Sequence, residues 1–118
     1  MDISDIRTYC LSKFGVNESF PFDDETLVFK IGSKIFCLAG LNPPFSINLK
    51  CEPEKAIELR EEYEEIKPGY HMNKKHWNTV SLEGRLENSL ITEMIDDSYF
   101  LVYKNLPKRE KELIKFDN

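Results

Sequence analysis

The chain has 118 residues and a mass of 13.9 kDa, which fits one domain built on one core and needing no disulfide or metal staple. Hydrophobic residues at 41% and aromatics at 12% exclude a disordered chain, and with 31% charged residues no apolar run approaches the roughly 18 residues of a membrane-spanning helix. A net charge of −5 argues against strong sequence-blind nucleic-acid binding, which phosphate neutralisation drives.

Residues 2–14 read as a helix, with Ile3, Ile6, Cys10 and Phe14 at helical spacing, Asp2 as N-cap and Gly15 as the stop. Residues 18–24 form a turn-rich connection with at most a short edge strand, because Pro21 cannot donate a ladder bond. Residues 25–39 read as a hairpin in which Leu27, Phe29 and Ile31 alternate with Thr26, Val28 and Lys30. Gly32-Ser33 is its turn, with glycine where a type II′ turn needs it. After the loop 40–44, Phe45, Ile47 and Leu49 alternate with Ser46, Asn48 and Lys50 in a third strand.

Residues 53–65 form a second helix opened by Pro53, with a thin stripe of Ala56, Leu59, Arg60 and Tyr63. Residues 52–65 carry seven glutamates against Lys55 and Arg60, so this helix alone accounts for the net charge. Residues 66–76 have no clear period, and they are basic through Lys67, Lys74 and Lys75. Residues 77–82 read as a fourth strand. The longest helix spans 87–105 on a stripe of Ile91, Met94, Ile95, Leu101 and Val102, and Pro107 opens a short charged helix to about residue 115. Helix, three strands, helix, strand and two helices give an α+β fold: a single domain over 1–118, with an antiparallel sheet and helices packed on it.

Cys10, Cys37 and Cys51 are odd in number and form no C-x-x-C pair. With no basic, apolar leader at the N-terminus, the expectation is reduced, mostly buried thiols in a cytoplasmic protein.

The block from Lys67 to Asn78 gathers both histidines, the single tryptophan and three lysines. His71 and His76 are five apart, which fits neither alternate strand positions nor one helical turn, so no metal site is expected. No nucleotide-binding glycine loop and no G-x-S-x-G is present, and no cofactor or enzymatic activity is expected. Lys74 and Lys75, with Lys67, suit phosphate contact, and Asn73 suits phosphate or a base edge. Tyr70, His71 and Trp77 suit stacking on a base or packing against sugar. The competing reading is a structured connection. In it Pro68-Gly69 turns the chain, Tyr70 and Trp77 bury their rings, His71 and Asn73 satisfy loop backbone, and the lysines are merely solvated.

The chain resembles the MmcQ/YjbR proteins of bacteria. The resemblance rests on Thr26 to Lys30 followed by Lys34-Ile35-Phe36, on Ser46 to Cys51 with Pro53-Glu54, and above all on Pro68 to Val80 (PGYHMNKKHWNTV). Asp97-Ser98-Tyr99 and Leu106-Pro107-Lys108 complete it. It implies a compact fold with an antiparallel sheet flanked by helices. It also implies a DNA-binding role, because the family's fold is similar to a phage "double wing" domain. The expectation is therefore a DNA-binding or regulatory accessory protein that contacts the backbone through residues 67–78. Tyr70, His71, Asn73, Lys74, Lys75, Trp77, Lys67 and Lys50 are the candidate contacts, and Lys30 is a further strand-face addition. The alternative is a non-enzymatic module for a protein partner or small ligand, with no membrane contact in either case.

Overall fold

A computed structural model describes residues 1–69 and 72–114. In chain order the elements are α1 (Ile3–Leu11), β1 (Val16–Ser19), β2 (Thr26–Ile31), β3 (Lys34–Gly40), β4 (Ser46–Lys50), α2 (Pro53–Glu62), β5 (Ile66–Pro68), β6 (Trp77–Ser81), α3 (Asn88–Lys104) and α4 (Lys108–Leu113). The strands form one antiparallel sheet in the order β1-β2-β3-β4-β6-β5. The α+β class is as expected, and two strands join the four foreseen. Both additions, β1 and β5, are edge strands of three or four residues, too short to carry a period of their own.

One face of the sheet is buried under helices. Leu27, Phe29, Ile31, Ile47, Leu49 and Val80 meet Ile6 and Cys10 of α1, Ala56 and Leu59 of α2, and Ile91, Met94, Ile95 and Tyr99 of α3 in one apolar cluster. Asp2 and Asp5 form a reciprocal capping box at the start of α1. That helix ends at Leu11, short of the expected residue 14. Phe14 is consequently exposed, and Gly15 turns the chain at φ +72. Gly32 turns the β2–β3 hairpin at φ +59, and the Ser33 amide and hydroxyl there donate to Glu110 of α4. All three cysteines are buried and free. Hydrogen bonding with Cys10 and burial push the Cys37 thiol well above its ordinary range.

The inward stripe of α3 differs from the expected one. Ser98 and Tyr99 are buried, whereas Leu101 is half-exposed. Ser98 has a specific task. The β2–β3 ladder slips after Phe29, and Cys37, Leu38 and Ala39 are the β3 residues in register with β4. At this irregularity the Ser98 hydroxyl donates to the Phe36 carbonyl (2.6 Å) and accepts from the Lys50 amide (2.9 Å). A side chain thus supplies the bonds that the ladder lacks, and α3 is fastened across the middle of the sheet. Ser98→Ala leaves a buried carbonyl and a buried amide without this partner. A loss of about 2 kcal/mol is expected in denaturant melts, and an unchanged midpoint would remove Ser98 from this role.

Several surface carboxylates are held below their ordinary range. Glu18 is lowered by its hydrogen bond from Arg7, Glu110 by the Ser33 side chain and amide, and Asp23 by the amides of Glu25 and Thr26. A group whose pKa is depressed on folding contributes stability that is complete above its unfolded value and is lost as pH falls through the folded one. The ordinary glutamate value here is 4.5. Thermal melts should therefore be flat from about pH 7 to 5 and fall progressively below about 4.5. Glu110→Gln should flatten that fall, and a midpoint rising on acidification would contradict the linkage.

Candidate functional site

Strand alternation gives the sheet a second face with a different surface. Ile47, Leu49, Asn78 and Val80 are buried toward the helices, so Ser46, Asn48 and Lys50 of β4 and Trp77, Thr79 and Ser81 of β6 point the other way and are half-exposed. The register sets Asn48 opposite Thr79 and Lys50 opposite Trp77. It adds Lys67 opposite Thr79 on the outer side and Leu38 opposite Asn48 on the inner side. Lys30 lies on the same face of β2, two residues beyond Val28. The middle of this face is a groove of about 550 Å³ lined by Phe22, Leu38, Asn48, Lys67, Met72 and Thr79 among others. The Thr79 hydroxyl donates to Asn48 Oδ1 at 2.5 Å across its floor.

The segment between β5 and β6 is tied down from two sides. The Gly69 amide donates to the Trp77 carbonyl at 2.8 Å. A Cβ at Gly69 would come within 2.7 Å of Trp77 Cβ, so the approach requires glycine. Asn73 Oδ1 accepts from the Lys75 amide, and its carbonyl accepts from the amides of His76 and Trp77. This closes a helical turn that delivers the chain into β6. The His76 carbonyl accepts from the Cys51 amide at 2.7 Å, which joins the turn to the end of β4.

The third anchor is Arg60, which the sequence reading placed in the packing stripe of α2. Its guanidinium donates to Asn78 Oδ1 at 2.6 Å, to the Trp77 carbonyl at 3.3 Å and to the Lys74 carbonyl. The readable signal was an arginine four residues after Ala56, in the packing stripe of a helix rich in glutamate. Asn78 takes a buried strand position, 2% exposed. Its Nδ2 has no partner among the described residues, and the side chain borders a cavity of about 10 Å³ beside Cys51, Leu59 and Met94.

Of the candidate contacts, Lys50, Lys67 and Trp77 share the helix-free face. Asn73, Lys74 and Lys75 are exposed on the turn at the end of the sheet where Lys50 and Trp77 lie. Tyr70 and His71 lie outside the described residues. Asn73 spends its side-chain oxygen on the turn itself. Trp77 is half-buried and stands apart from the main core. The buried positions of β6 belong to Asn78 and Val80. Ala56 and Leu59 face α2 into the core, so the glutamates of that helix belong to the helical layer, across the sheet from Lys50 and Lys67. Among the described residues no three His, Cys, Asp or Glu side chains converge on a metal position, and no helix is long and apolar enough to cross a membrane.

Arg60→Leu should leave the buried Asn78 Oδ1 without its donor, at about 1–3 kcal/mol for a buried group left unsatisfied, and release the exposed Lys74 carbonyl, while the Trp77 carbonyl keeps the Gly69 amide. Faster amide exchange over residues 75–77 and a lower melting temperature are expected. Arg60→Lys, which keeps charge without the planar fork, should restore only part of the loss. Exchange identical to wild type in Arg60→Leu would rule out the anchor.

The same architecture occurs in proteins of known sequence and structure. The chain is 44% identical over 98 residues to YbdF of Escherichia coli O157:H7, covering 81% of this chain and 80% of that protein. It is 34% identical over 116 residues to YjbR of Escherichia coli K12, covering 97% and 98%. The crystal structure of Deinococcus radiodurans protein DR2400 superposes with a TM-score of 0.90 at 39% identity, covering 98% of this chain and 88% of that one. A Pseudomonas syringae protein superposes at 0.77 and 30% identity, covering 86% and 99%. The YjbR family model matches residues 11–101, and with relatives this similar along nearly the full length, the chain belongs to the YjbR family.

Proposed function

We propose that the protein is a non-enzymatic DNA-binding domain that meets the phosphate backbone with the helix-free face of its sheet and the adjoining turn at 73–76. The observation that carries this reading is the segregation of charge. Lys50 and Lys67 share one face, Lys74 and Lys75 extend its end, and the glutamates of α2 lie in the opposite layer. A chain of net charge −5 can in this way present a locally positive surface to a polyanion. Four lysines are few. If each neutralises one phosphate, log K falls with log salt at a slope of about −3 to −4, so binding is strong at low salt and modest at physiological salt.

A second reading, a module for a small ligand, has its own observation in favour. The groove of about 550 Å³ lies in the range of small-molecule sites and combines an apolar lining with a few polar groups.

The test is an amide NMR titration of labelled protein with short DNA at low and at physiological salt. Shifts are expected over 67–79 and at Lys50, weakening as salt rises. Converting Lys50, Lys67, Lys74 and Lys75 to Glu should abolish the shifts while leaving the melting temperature within a few degrees of wild type, since all four side chains sit on exposed or half-exposed positions. No shifts at low salt, where phosphate attraction is least screened, would reject the DNA reading.

A further inference from the structure

We infer that the strand taken by this face is unpaired, and that the groove across β3, β4 and β6 receives one of its bases. The inference rests on the DNA-binding reading and goes beyond it by naming the form of nucleic acid and the place where a base is held.

The lining of the groove is the first reason. Phe22 stands on one wall with 66% of its surface exposed, and Met72 and Pro68 stand on the other, over a floor that includes Leu38. A duplex presents phosphates outward and keeps the faces of its bases stacked inside, so it offers this apolar concavity nothing to bury. An unpaired base offers a flat π-face, which aromatic side chains on open sheets stack against. The polar groups fit the same occupant. Thr79 fixes the Asn48 amide by donating to its oxygen, which directs Asn48 Nδ2 as a donor for a base edge. Lys67 lies at the rim to meet the phosphate of the same nucleotide. Lys50 and Lys30 continue the positive charge along the face. Asp23 also lines the groove, but its carboxylate accepts from the amides of Glu25 and Thr26 and is turned to its own backbone.

Gly40 is the second reason. It lies at the end of β3 on the groove floor, and its φ is not in the left-handed region. A Cβ placed there would meet only the Ser46 carbonyl at 4.0 Å, which is ordinary contact. Neither backbone conformation nor packing therefore calls for glycine, and a strand position favours a branched side chain. What a side chain at Gly40 would remove is open floor.

The experiment measures fluorescence anisotropy of a labelled oligothymidine and of a duplex of the same length, at low salt, with wild-type protein, Phe22→Ala and Gly40→Val. The single strand is expected to bind about tenfold or more tightly than the duplex. Each variant should weaken single-strand binding by about tenfold, with duplex binding and melting temperature unchanged. Phe22 is exposed, so its truncation leaves the core intact and serves as the control should Gly40→Val fold poorly. Equal binding of both forms, with no effect of Phe22→Ala, overturns the groove assignment and leaves the backbone-binding reading standing. Absence of binding to either form overturns both. Binding of thymidine monophosphate in the groove without affinity for the strand also overturns the assignment, in favour of a small-ligand site.

Discussion

The pairing of β4 with β6 is the constraint on which the rest of this molecule depends. These strands are not consecutive, and the chain between them must leave the sheet, cross as α2 and return as β5 on the outer edge. Once their register is set, the alternation of side chains does the sorting. Ile47, Leu49, Asn78 and Val80 go to the helices, while Asn48, Lys50, Trp77 and Thr79 go to the open face. A slip of one residue would exchange the two sets and bury a lysine where Leu49 now lies. The register is therefore held by burial on one side and, at the ends, by specific hydrogen bonds: Ser98 on the Lys50 amide, His76 on the Cys51 amide and Glu83 on the Phe45 amide.

The helices are tied to the sheet and to one another through polar side chains. Arg60 extends from α2 to hold the 74–78 segment, and Ser98 extends from α3 to repair the ladder beside Phe36. Tyr9 and Lys13 of the α1 region both donate to Asp96 of α3, while Lys13 also lies over the rings of Tyr9 and Tyr99. Burial and the Asp96 hydrogen bond push the Tyr9 hydroxyl up to about 12, so it remains a donor throughout the range in which the protein folds. Each contact fixes an element that apolar packing alone would leave free to slide. The turn at 73–76 is accordingly a presented structure with three anchors, and a presented turn loses less entropy on binding a partner than an unanchored one.

Residues 52–65 sum to −5, the net charge of the chain, and four of their glutamates, Glu54, Glu58, Glu61 and Glu62, ride on α2 in the helical layer, across the sheet from Lys50 and Lys67. Composition alone argued against nucleic acid, because a mean charge carries no direction. The fold sets the glutamates of α2 and the lysines Lys50 and Lys67 on opposite sides of the sheet.

The α+β class, the hairpin with its turn at Gly32, the capped start of α1, the glutamate helix, the alternation of β4 and the existence of a strand at β6 can all be read from the chain alone. These are local matters, written in period, capping residues and turn chemistry within a few residues of each other. The family was legible for the same reason, since Pro68 to Val80 is a contiguous run. Tertiary structure alone decided the edge strands β1 and β5, whose few residues become strands only because a partner offers a ladder. It also decided that Asn78 rather than Trp77 takes the buried side of β6, and that Arg60 leaves its packing stripe to anchor a turn fourteen residues away. The groove belongs to the same category. Phe22, Gly40, Asn48, Lys67 and Thr79 come from five separate stretches of chain, and only the strand order brings them to one surface.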